Sequence, residues 1–356
     1  MQNTKHTFLP ELLRFADGTE VTSAADWEAR RHEIRTLLEQ YEYGVTPPYA
    51  GATVGEVTKT VEKCAAGHGV QEELKITFPT SSGDFSFPAH FFYPSDGKPH
   101  FTFVMLNFRP DAYDQYCPVE EIIDNGFGVA IVYYESVTSD SGAEDGLAAC
   151  YPRREDGTDW GKLGMWAFAA SRLGDYLLTR KEVSALGVVG HSRLGKTALW
   201  CGAQDERFQV VCSNDSGCCG AAYEREKHGN SETVKAITEE FPHWFCKNFL
   251  AYAKAPDERP FDQHFLLAMM APRRLCIGSA SLDDWADQYG EQLSCIGASP
   301  AWKLLGCRGF VGKETPASVG ETMSDGEVQY HLRDGLHFFS RNDWAQYMNA
   351  AHNAGF

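Results

Sequence analysis

The first part of the chain combines one helical stretch with an alternating pattern. Residues 27–43 are rich in charged and helix-forming residues, and Gly44 and Pro47 would end that helix. Residues 53–94 then alternate between apolar and polar positions, which predicts antiparallel strands. We therefore expect residues 1–50 to form a helical extension that packs on a later core.

From residue 101 onward, short and nearly continuous apolar runs alternate with helical stretches. The runs are residues 101–106, 128–134, 186–190, 209–212 and 275–278. The helical stretches are residues 160–180, 194–204 and 341–354. Strands that are apolar on both faces are typical of a parallel sheet covered by helices. The pattern predicts an α/β protein, with residues 1–356 forming a single domain.

Composition narrows the possible partners. The chain has 32 Lys and Arg against 49 Asp and Glu, a formal charge of -17, which would repel nucleic acid and anionic membranes. The sequence begins without the pattern of a secretory signal, and no apolar run is long enough to span a bilayer. We therefore expect a cytoplasmic protein, or a secreted one if a leader has been removed. The eleven cysteines are scattered, which predicts buried free thiols. A monomer is expected.

Ser192 is the first candidate for chemistry. It directly follows the apolar run 185–190 and precedes the helix-compatible residues 196–200, so it lies in a sharp turn from strand to helix. Such a turn exposes a nucleophilic serine above the sheet in α/β-hydrolases. The usual motif has glycine two residues after the serine, however, whereas here Leu194 occupies that position and Gly195 follows it. The short pattern alone favours a helix N-cap over a nucleophile.

A histidine and two carboxylates complete a possible triad in the order serine, acid, histidine. His337 follows the strand-like residues 328–333 and precedes the last helix. Asp215 and Asp283 each follow an apolar run, and we favour Asp283 because it follows the strand that usually carries the acid. This order predicts an α/β-hydrolase fold, a three-layer αβα sandwich with a mostly parallel central sheet and antiparallel N-terminal strands.

Together these motifs resemble carbohydrate esterase family 15, the glucuronoyl esterases, and especially its bacterial members, which are often labelled acetylxylan esterases. The segments that carry the resemblance are 190–196, 213–217, 241–245, 260–264, 271–273 and 283–287, with 27–31 and 43–44 near the N-terminus. The family's nucleophile segment has the form Gly-x-Ser-Arg-x-Gly-Lys. The displaced Gly195 therefore fits this family better than it fits the general motif.

The resemblance implies roles for individual residues. It implies Ser192 as nucleophile, His337 as base, and Arg193 as an oxyanion contributor through its backbone N–H and its guanidinium. The family places the acid after either of two strands, usually as a glutamate after the earlier strand. Asp215 lies at that earlier position but has a shorter side chain, which again favours Asp283. The two carboxylates could also share the role of the acid. The residues implied to contact the sugar are Lys196, Trp285, Glu240 and Glu232.

The predicted reaction is hydrolysis of the ester between (4-O-methyl-)glucuronate of glucuronoxylan and an alcohol, through an acyl-enzyme on Ser192. One alternative is an acetyl esterase that acts on acetylated xylo-oligosaccharides or another carbohydrate ester with the same triad. Another is a catalytically silent carbohydrate-binding homologue, and a peptidase or lipase is a third. No cofactor is expected, and no metal, because the pairs His243 with Cys246 and Cys218 with Cys219 match no zinc spacing.

Overall fold

One sheet of ten strands organises the protein. The computed structural model describes residues 9–225 and 227–356. The strands are β1 (Val54–Cys64), β2 (Gly69–Thr80), β3 (Gly83–Pro94), β4 (His100–Asn107), β5 (Gly128–Tyr133), β6 (Val183–His191), β7 (Phe208–Asn214), β8 (Arg274–Ala280), β9 (Thr322–Met323) and β10 (Val328–Arg333). Their order across the sheet is β1-β2-β3-β5-β4-β6-β7-β8-β10-β9.

The strands from β5 to β10 in this order form the parallel centre of the sheet. Each neighbouring pair from β5-β4 through β8-β10 is parallel. In contrast, β1, β2 and β3 form an antiparallel meander, and the short β9 pairs antiparallel with β10 at the other edge. The predicted α/β fold class and the antiparallel N-terminal strands are therefore confirmed.

Helices cover both faces of the sheet. They are α1 (Ala24–Tyr41), α2 (Val119–Asp124), α3 (Lys162–Leu177), α4 (Arg193–Gln204), α5 (Val234–Glu240), α6 (Gln263–Ala268), α7 (Gln288–Leu304) and α8 (Arg341–Asn353). Short 3₁₀ turns lie in the connections between them.

Strand β4 shows why the sheet needs both layers. Val104 and Leu106 belong to one buried apolar cluster, whereas Phe103 and Met105 belong to a second. Successive side chains of a strand point to opposite faces, so two cores result. Residues from α1, α3, α4 and α7 fill the first core and residues from α2 and α8 fill the second.

Helix α1 packs on the first core. Ser23 and Asp26 form a capping box at its start, which pairs otherwise unsatisfied N–H groups. Its apolar residues Trp27, Ile34 and Leu38 are buried in the same cluster as the sheet. Of the N-terminal extension 1–50, residues 1–8 lie outside the described residues.

The pattern of apolar residues did not predict α7, although this helix has 17 residues. Gly290 and Gly297 interrupt it, and Pro300 lies inside it. All three residue types lower the intrinsic preference for a helix. Tertiary contacts compensate here, since Leu293, Cys295 and Trp302 are among its buried residues.

Two predictions from the sequence concern membrane-spanning segments and the state of the cysteines. Within residues 9–225 and 227–356, no helix combines the length and the apolar character that crossing a bilayer requires. The eleven cysteines all lie in these residues and are free thiols, nine of them buried.

Four neighbouring parallel strands end at the same edge of the sheet, and loops follow them there. Strand β6 ends at His191, β7 at Asn214, β8 at Ala280 and β10 at Arg333, and these strands are neighbours. Loops after the carboxyl ends of such strands form the usual binding crevice of an open α/β sheet.

Candidate active site

Ser192 occupies a strained turn between β6 and α4. Its backbone has φ 57° and ψ -129°, a conformation that residues other than glycine rarely adopt. The Ser192 N–H donates to the carbonyl oxygen of Asn214 at 2.8 Å, which ties the turn to the end of β7. A strained serine between a strand and a helix is the hallmark of a nucleophile elbow.

Two glycines allow this turn to be so tight. A Cβ atom on Gly190 would lie 2.1 Å from the carbonyl oxygen of Leu194, and one on Gly195 would lie 2.9 Å from Ser213 Oγ. Leu194 itself is buried in the first core. The close approach to β7 thus falls at residue 195, which explains physically why the second glycine comes one residue later than in the general motif.

His337 lies in the loop after β10 and is oriented by Asp283. His337 Nδ1 and Asp283 Oδ2 are 2.6 Å apart. Asp283 is buried, whereas 45% of the His337 side chain is exposed. Because an ionised carboxylate only accepts hydrogen bonds, Nδ1 carries the proton and Nε2 keeps a free lone pair. This is the tautomer that a general base needs.

Asp215, the second candidate for the acid, has different partners. Its Oδ1 accepts the N–H of Ala280 at 2.6 Å and its Oδ2 accepts the guanidinium of Arg333 at 3.2 Å. Burial, together with the negative charges of Glu291 and Asp283, raises the pKa of Asp215, and Arg333 opposes that shift. Between the two described carboxylates, Asp283 is therefore the one that receives the hydrogen bond of His337.

All nine residues singled out from the sequence line one cavity of about 410 Å³. They are Ser192, Arg193, Lys196, Asp215, Glu232, Glu240, Asp283, Trp285 and His337. The remaining lining comes from Ser216, Gly217, Phe241, Trp244 and Ala286. A volume of this size falls within the range of roughly 300–1,000 Å³ that is typical of small-molecule sites.

The guanidinium of Arg193 is held at the side of the cavity by Asp140, a residue that the sequence reasoning missed. Arg193 Nη1 donates to Asp140 Oδ2, while Asp140 Oδ1 accepts from His243 Nε2 at 3.0 Å and from Trp244 Nε1 at 2.6 Å. Burial opposes the ionisation of Asp140, but these donors and the positive charge outweigh it and lower its pKa to about 2. Asp140 lies in a loop without a recognisable motif, so the sequence gives no signal for it.

Lys196 and Glu232 form the buried polar wall of the cavity. Lys196 Nζ donates to the carbonyl oxygen of Ser216. Burial raises the pKa of Glu232, and the positive charge of Lys196 opposes that shift. The two groups are therefore close enough to interact electrostatically. The backbone N–H of Glu232 donates to the carbonyl oxygen of Trp285 at 3.0 Å, and the Trp285 side chain is about half exposed at 49%. Glu240 is exposed at the rim.

His191 packs directly against His337. The centroids of the two rings are 4.4 Å apart, and His191 Nδ1 is 2.7 Å from Asn214 Oδ1. Burial lowers the pKa of His191 to about 3, so its ring is neutral at neutral pH. A neutral neighbour does not repel the positive charge that His337 would acquire as a base.

Glu291 supports the floor of the cavity from α7. It accepts hydrogen bonds from the backbone N–H of Gly217 at 2.9 Å and from the hydroxyls of Ser216 and Ser279 at 3.2 Å and 2.5 Å. Burial raises its pKa to about 7. The sequence reasoning missed Glu291 because it missed the helix that carries it.

Among the described residues, 9–225 and 227–356, two clusters of side chains have ligand atoms close enough together to hold a metal ion. Asp215, Asp283 and His337 form one, and Cys218, Cys219 and Glu224 form the other. In the first cluster His337 Nδ1 is bonded to Asp283. In the second, Cys218 Sγ donates to Glu224 Oε2 at 3.0 Å. In each cluster, two of the three possible ligands are hydrogen-bonded to each other. We therefore assign no metal to either cluster.

Comparisons of sequence relate the chain to known esterases. The family described as "Glucuronyl esterase, fungi" matches residues 76–306. Carbohydrate esterase MZ0003, from an unknown prokaryotic organism, is 34% identical over 395 aligned positions that cover 98% of this chain and 90% of that protein. A 4-O-methyl-glucuronoyl methylesterase of Podospora anserina is 28% identical over 84% of this chain, which spans 60% of that fungal protein's length.

A comparison of structures gives the same relationship. The glucuronoyl esterase from Solibacter usitatus superposes with a TM-score of 0.88 at 34% identity, and the match covers 97% of each chain. Similarity over almost the whole of both chains means that the sheet, the helices on both faces and the loops at the carboxyl edge have common counterparts.

Proposed function

This chain belongs to the glucuronoyl esterases of carbohydrate esterase family 15, and we propose that it hydrolyses esters of 4-O-methyl-glucuronate through an acyl-enzyme on Ser192. One observation carries the assignment of the catalytic groups. The 2.6 Å hydrogen bond between Asp283 and His337 lies in the same cavity as a serine with a strained backbone. This combination is what acyl transfer by a serine requires.

In the first half of the reaction, Ser192 Oγ attacks the ester carbonyl carbon while His337 Nε2 accepts the hydroxyl proton. The imidazolium that forms is stabilised by Asp283, which lies on its other nitrogen. The tetrahedral intermediate collapses when the bond to the leaving oxygen breaks and His337 donates the proton to the departing alcohol. The uronate acyl group then remains on Ser192.

The negative charge on the carbonyl oxygen develops next to the first turn of α4. Arg193 begins this helix, so its backbone N–H has no partner within the helix and can donate to the oxyanion. The positive end of the helix dipole adds to this effect. The guanidinium of Arg193 contributes positive charge at the same wall, where Asp140 fixes its position.

In the second half, a water molecule replaces the alcohol. His337 removes its proton as it attacks the acyl carbon, and the bond from that carbon to Ser192 Oγ breaks. The proton returns to Ser192 and the free uronic acid loses its own proton to solvent. The same two protein groups therefore serve both halves of the cycle.

The lining of the cavity supports a sugar-acid ester over a simple acetyl ester. An acetyl group needs only a small apolar pocket, whereas this cavity has a volume of about 410 Å³ and charged side chains in its lining. Lys196 and Glu232 offer a hydrogen-bond donor and an acceptor for sugar hydroxyls, and the half-exposed ring of Trp285 offers a flat apolar surface for a sugar face.

The test compares two substrates and two serine variants. We expect the wild type to hydrolyse benzyl glucuronate and Ser192→Ala to lose at least about 10³-fold in kcat. Ser318→Ala serves as the matched control, since Ser318 is exposed and does not line the cavity. Rapid turnover of 4-nitrophenyl acetate without turnover of benzyl glucuronate would instead identify an acetyl esterase, and a fully active Ser192→Ala enzyme would refute the mechanism.

A further inference from the structure

Arg333, the last residue of β10, lies beneath the loop that carries His337. It is buried, with 6% of its surface exposed. Its Nη1 donates to the carbonyl oxygens of Asp334 at 3.1 Å and Leu336 at 3.2 Å, and its Nη2 donates to Leu336 at 3.2 Å and to Phe338. The guanidinium therefore binds the backbone on both sides of His337.

The other contacts of Arg333 anchor it to the sheet and to α8. Its Nε donates to Asp343 Oδ2 at 2.7 Å, and Asp343 is the carboxylate of the capping box that starts α8. Its Nη2 also donates to Asp215 Oδ2, and Asp215 is tied to β8 through the N–H of Ala280. One side chain thus connects the loop with β7, β8 and α8.

The other contacts of His337 hold its ring, through the bond to Asp283 and the packing against His191, rather than the backbone on either side of it. Residues 336–338 are exposed, with 67% of Leu336 and 37% of Phe338 accessible to solvent, and the Phe338 ring packs against Tyr116 with the centroids 4.9 Å apart. Three further hydrogen bonds join Leu282 with Gly335, Gly335 with Ser281 and Ser281 with Asp334, all on the N-terminal side of His337. Carbonyl oxygens cannot bind one another, so only a group with several donors can gather them, and a guanidinium has five in a fixed plane.

We propose that Arg333 is a positioning residue for His337, and that Asp215 acts as a buried hydrogen-bond acceptor that anchors Arg333 rather than as a second acid for the histidine. The inference rests on the proposed function, because His337 matters only as the base of the esterase. Arg333 fills the space between Asp215 and the loop.

The experiment compares Arg333→Gln and Arg333→Lys with the wild type on benzyl glucuronate. Displacing a catalytic group by about 1 Å can cost about 10²-fold. We expect Arg333→Gln to lose about 100-fold in kcat with KM within threefold. Arg333→Lys keeps the charge, but its three donors cannot serve three carbonyl groups and two carboxylates at once, and it should lose about tenfold.

Arg273 provides a matched control. This arginine also donates to backbone carbonyl oxygens, those of Gly202, Phe208 and Met269, but it does not line the cavity. Arg273→Gln should lower the melting temperature without changing kcat of the folded enzyme. If Arg273→Gln and Arg333→Gln lost kcat to a similar extent, both losses would arise from general destabilisation. That result would overturn the proposal.

A spectroscopic measurement separates this proposal from the proposed function. The short bond from His337 Nδ1 to Asp283 should give a far-downfield proton resonance in the wild type, and Asp283→Ala identifies it by removing it. We expect the resonance to be lost or broadened in Arg333→Lys and Arg333→Gln and unchanged in Arg273→Gln. An intact resonance with wild-type kcat in a folded Arg333→Lys enzyme contradicts the role of Arg333. If the wild type shows the resonance but does not cleave benzyl glucuronate, only the proposed substrate is wrong.

Discussion

Replacing Asp283 by alanine and by asparagine should give losses of different size. Alanine removes a charge-assisted hydrogen bond of 2.6 Å. Such bonds contribute roughly 1.5–3 kcal/mol, which corresponds to about 10–150-fold in rate. His337 is 45% exposed, so water can replace part of the lost bond. The expected loss for Asp283→Ala therefore lies in the lower half of this range, at about 10–40-fold in kcat.

Asparagine should be worse than alanine although it is closer in shape. Its amide nitrogen is a donor, and when it faces His337 it favours the tautomer with the proton on Nε2. That tautomer cannot accept the proton of Ser192, and the corresponding change in a serine protease costs about 10⁴-fold. We expect Asp283→Asn to lose about 10³–10⁴-fold in kcat at neutral pH.

The assay is steady-state hydrolysis of benzyl glucuronate, with thermal melting as a check of folding. Asp284→Asn is the matched control, because Asp284 is the adjacent carboxylate but is exposed and does not line the cavity. Its kcat should equal that of the wild type. If Asp283→Asn retained full activity and Asp215→Asn lost it, the choice of Asp283 as the acid would be wrong.

Four further outcomes are expected. Asp140→Asn should lower kcat about tenfold by releasing the Arg193 guanidinium, and an unchanged kcat would mean that this guanidinium does not act on the oxyanion. The folded-state pKa of Glu291 of about 7 exceeds its unfolded value, so its ionisation lowers stability as the pH rises from about 4.5 to 7. Glu291→Gln should therefore match the wild-type melting temperature at pH 4 and exceed it by roughly 1–3 °C at pH 8, and equal curves would contradict the shift. Gly195→Ala should destabilise the fold by about 1–3 kcal/mol in denaturant titrations, whereas Gly142→Ala, whose new Cβ meets no atom within 4 Å, should be nearly neutral. Free glucuronate should inhibit with a Ki well above the KM of its benzyl ester, and an equal or lower Ki would show that the site retains its anionic product.

The parallel strands could be predicted from the sequence because burial on both faces leaves a direct mark on composition. Residues 186–190 are apolar throughout and residues 101–106 are apolar except for Thr102, and these runs lie within the central strands β6 and β4. The position of Ser192 at the end of such a strand was predictable for the same reason. Helix α7 left no such mark, since its glycines and proline are typical of loops and only packing against the sheet makes them helical.

The order of the strands favoured Asp283 over Asp215, but the residues alone could not show what distinguishes the two carboxylates. Both follow strands of the same sheet, and both come within 4.8 Å of the His337 ring nitrogen. The difference arises from Arg333, which comes from a third strand and occupies the oxygen of Asp215 that could otherwise face the histidine. A contact between residues 118 positions apart depends on how β7, β8 and β10 align, and this alignment has no signature in one sequence.

The charge of the cavity fits an ester better than the acid that the reaction releases. The carboxylates of Asp215, Glu232, Glu240 and Asp283 line it, against the cations of Arg193 and Lys196. Four acidic groups thus face two cations in the lining, so a new anion meets an excess of acidic side chains. A glucuronate ester is neutral at its carboxyl group and enters without repulsion.

Hydrolysis creates a carboxylate there, and each like charge at about 4 Å costs about 1 kcal/mol even in water. The chain as a whole carries a formal charge of -17, so the field outside the cavity does not draw the anion back. The same acidity that argues against anionic partners therefore favours release of the product.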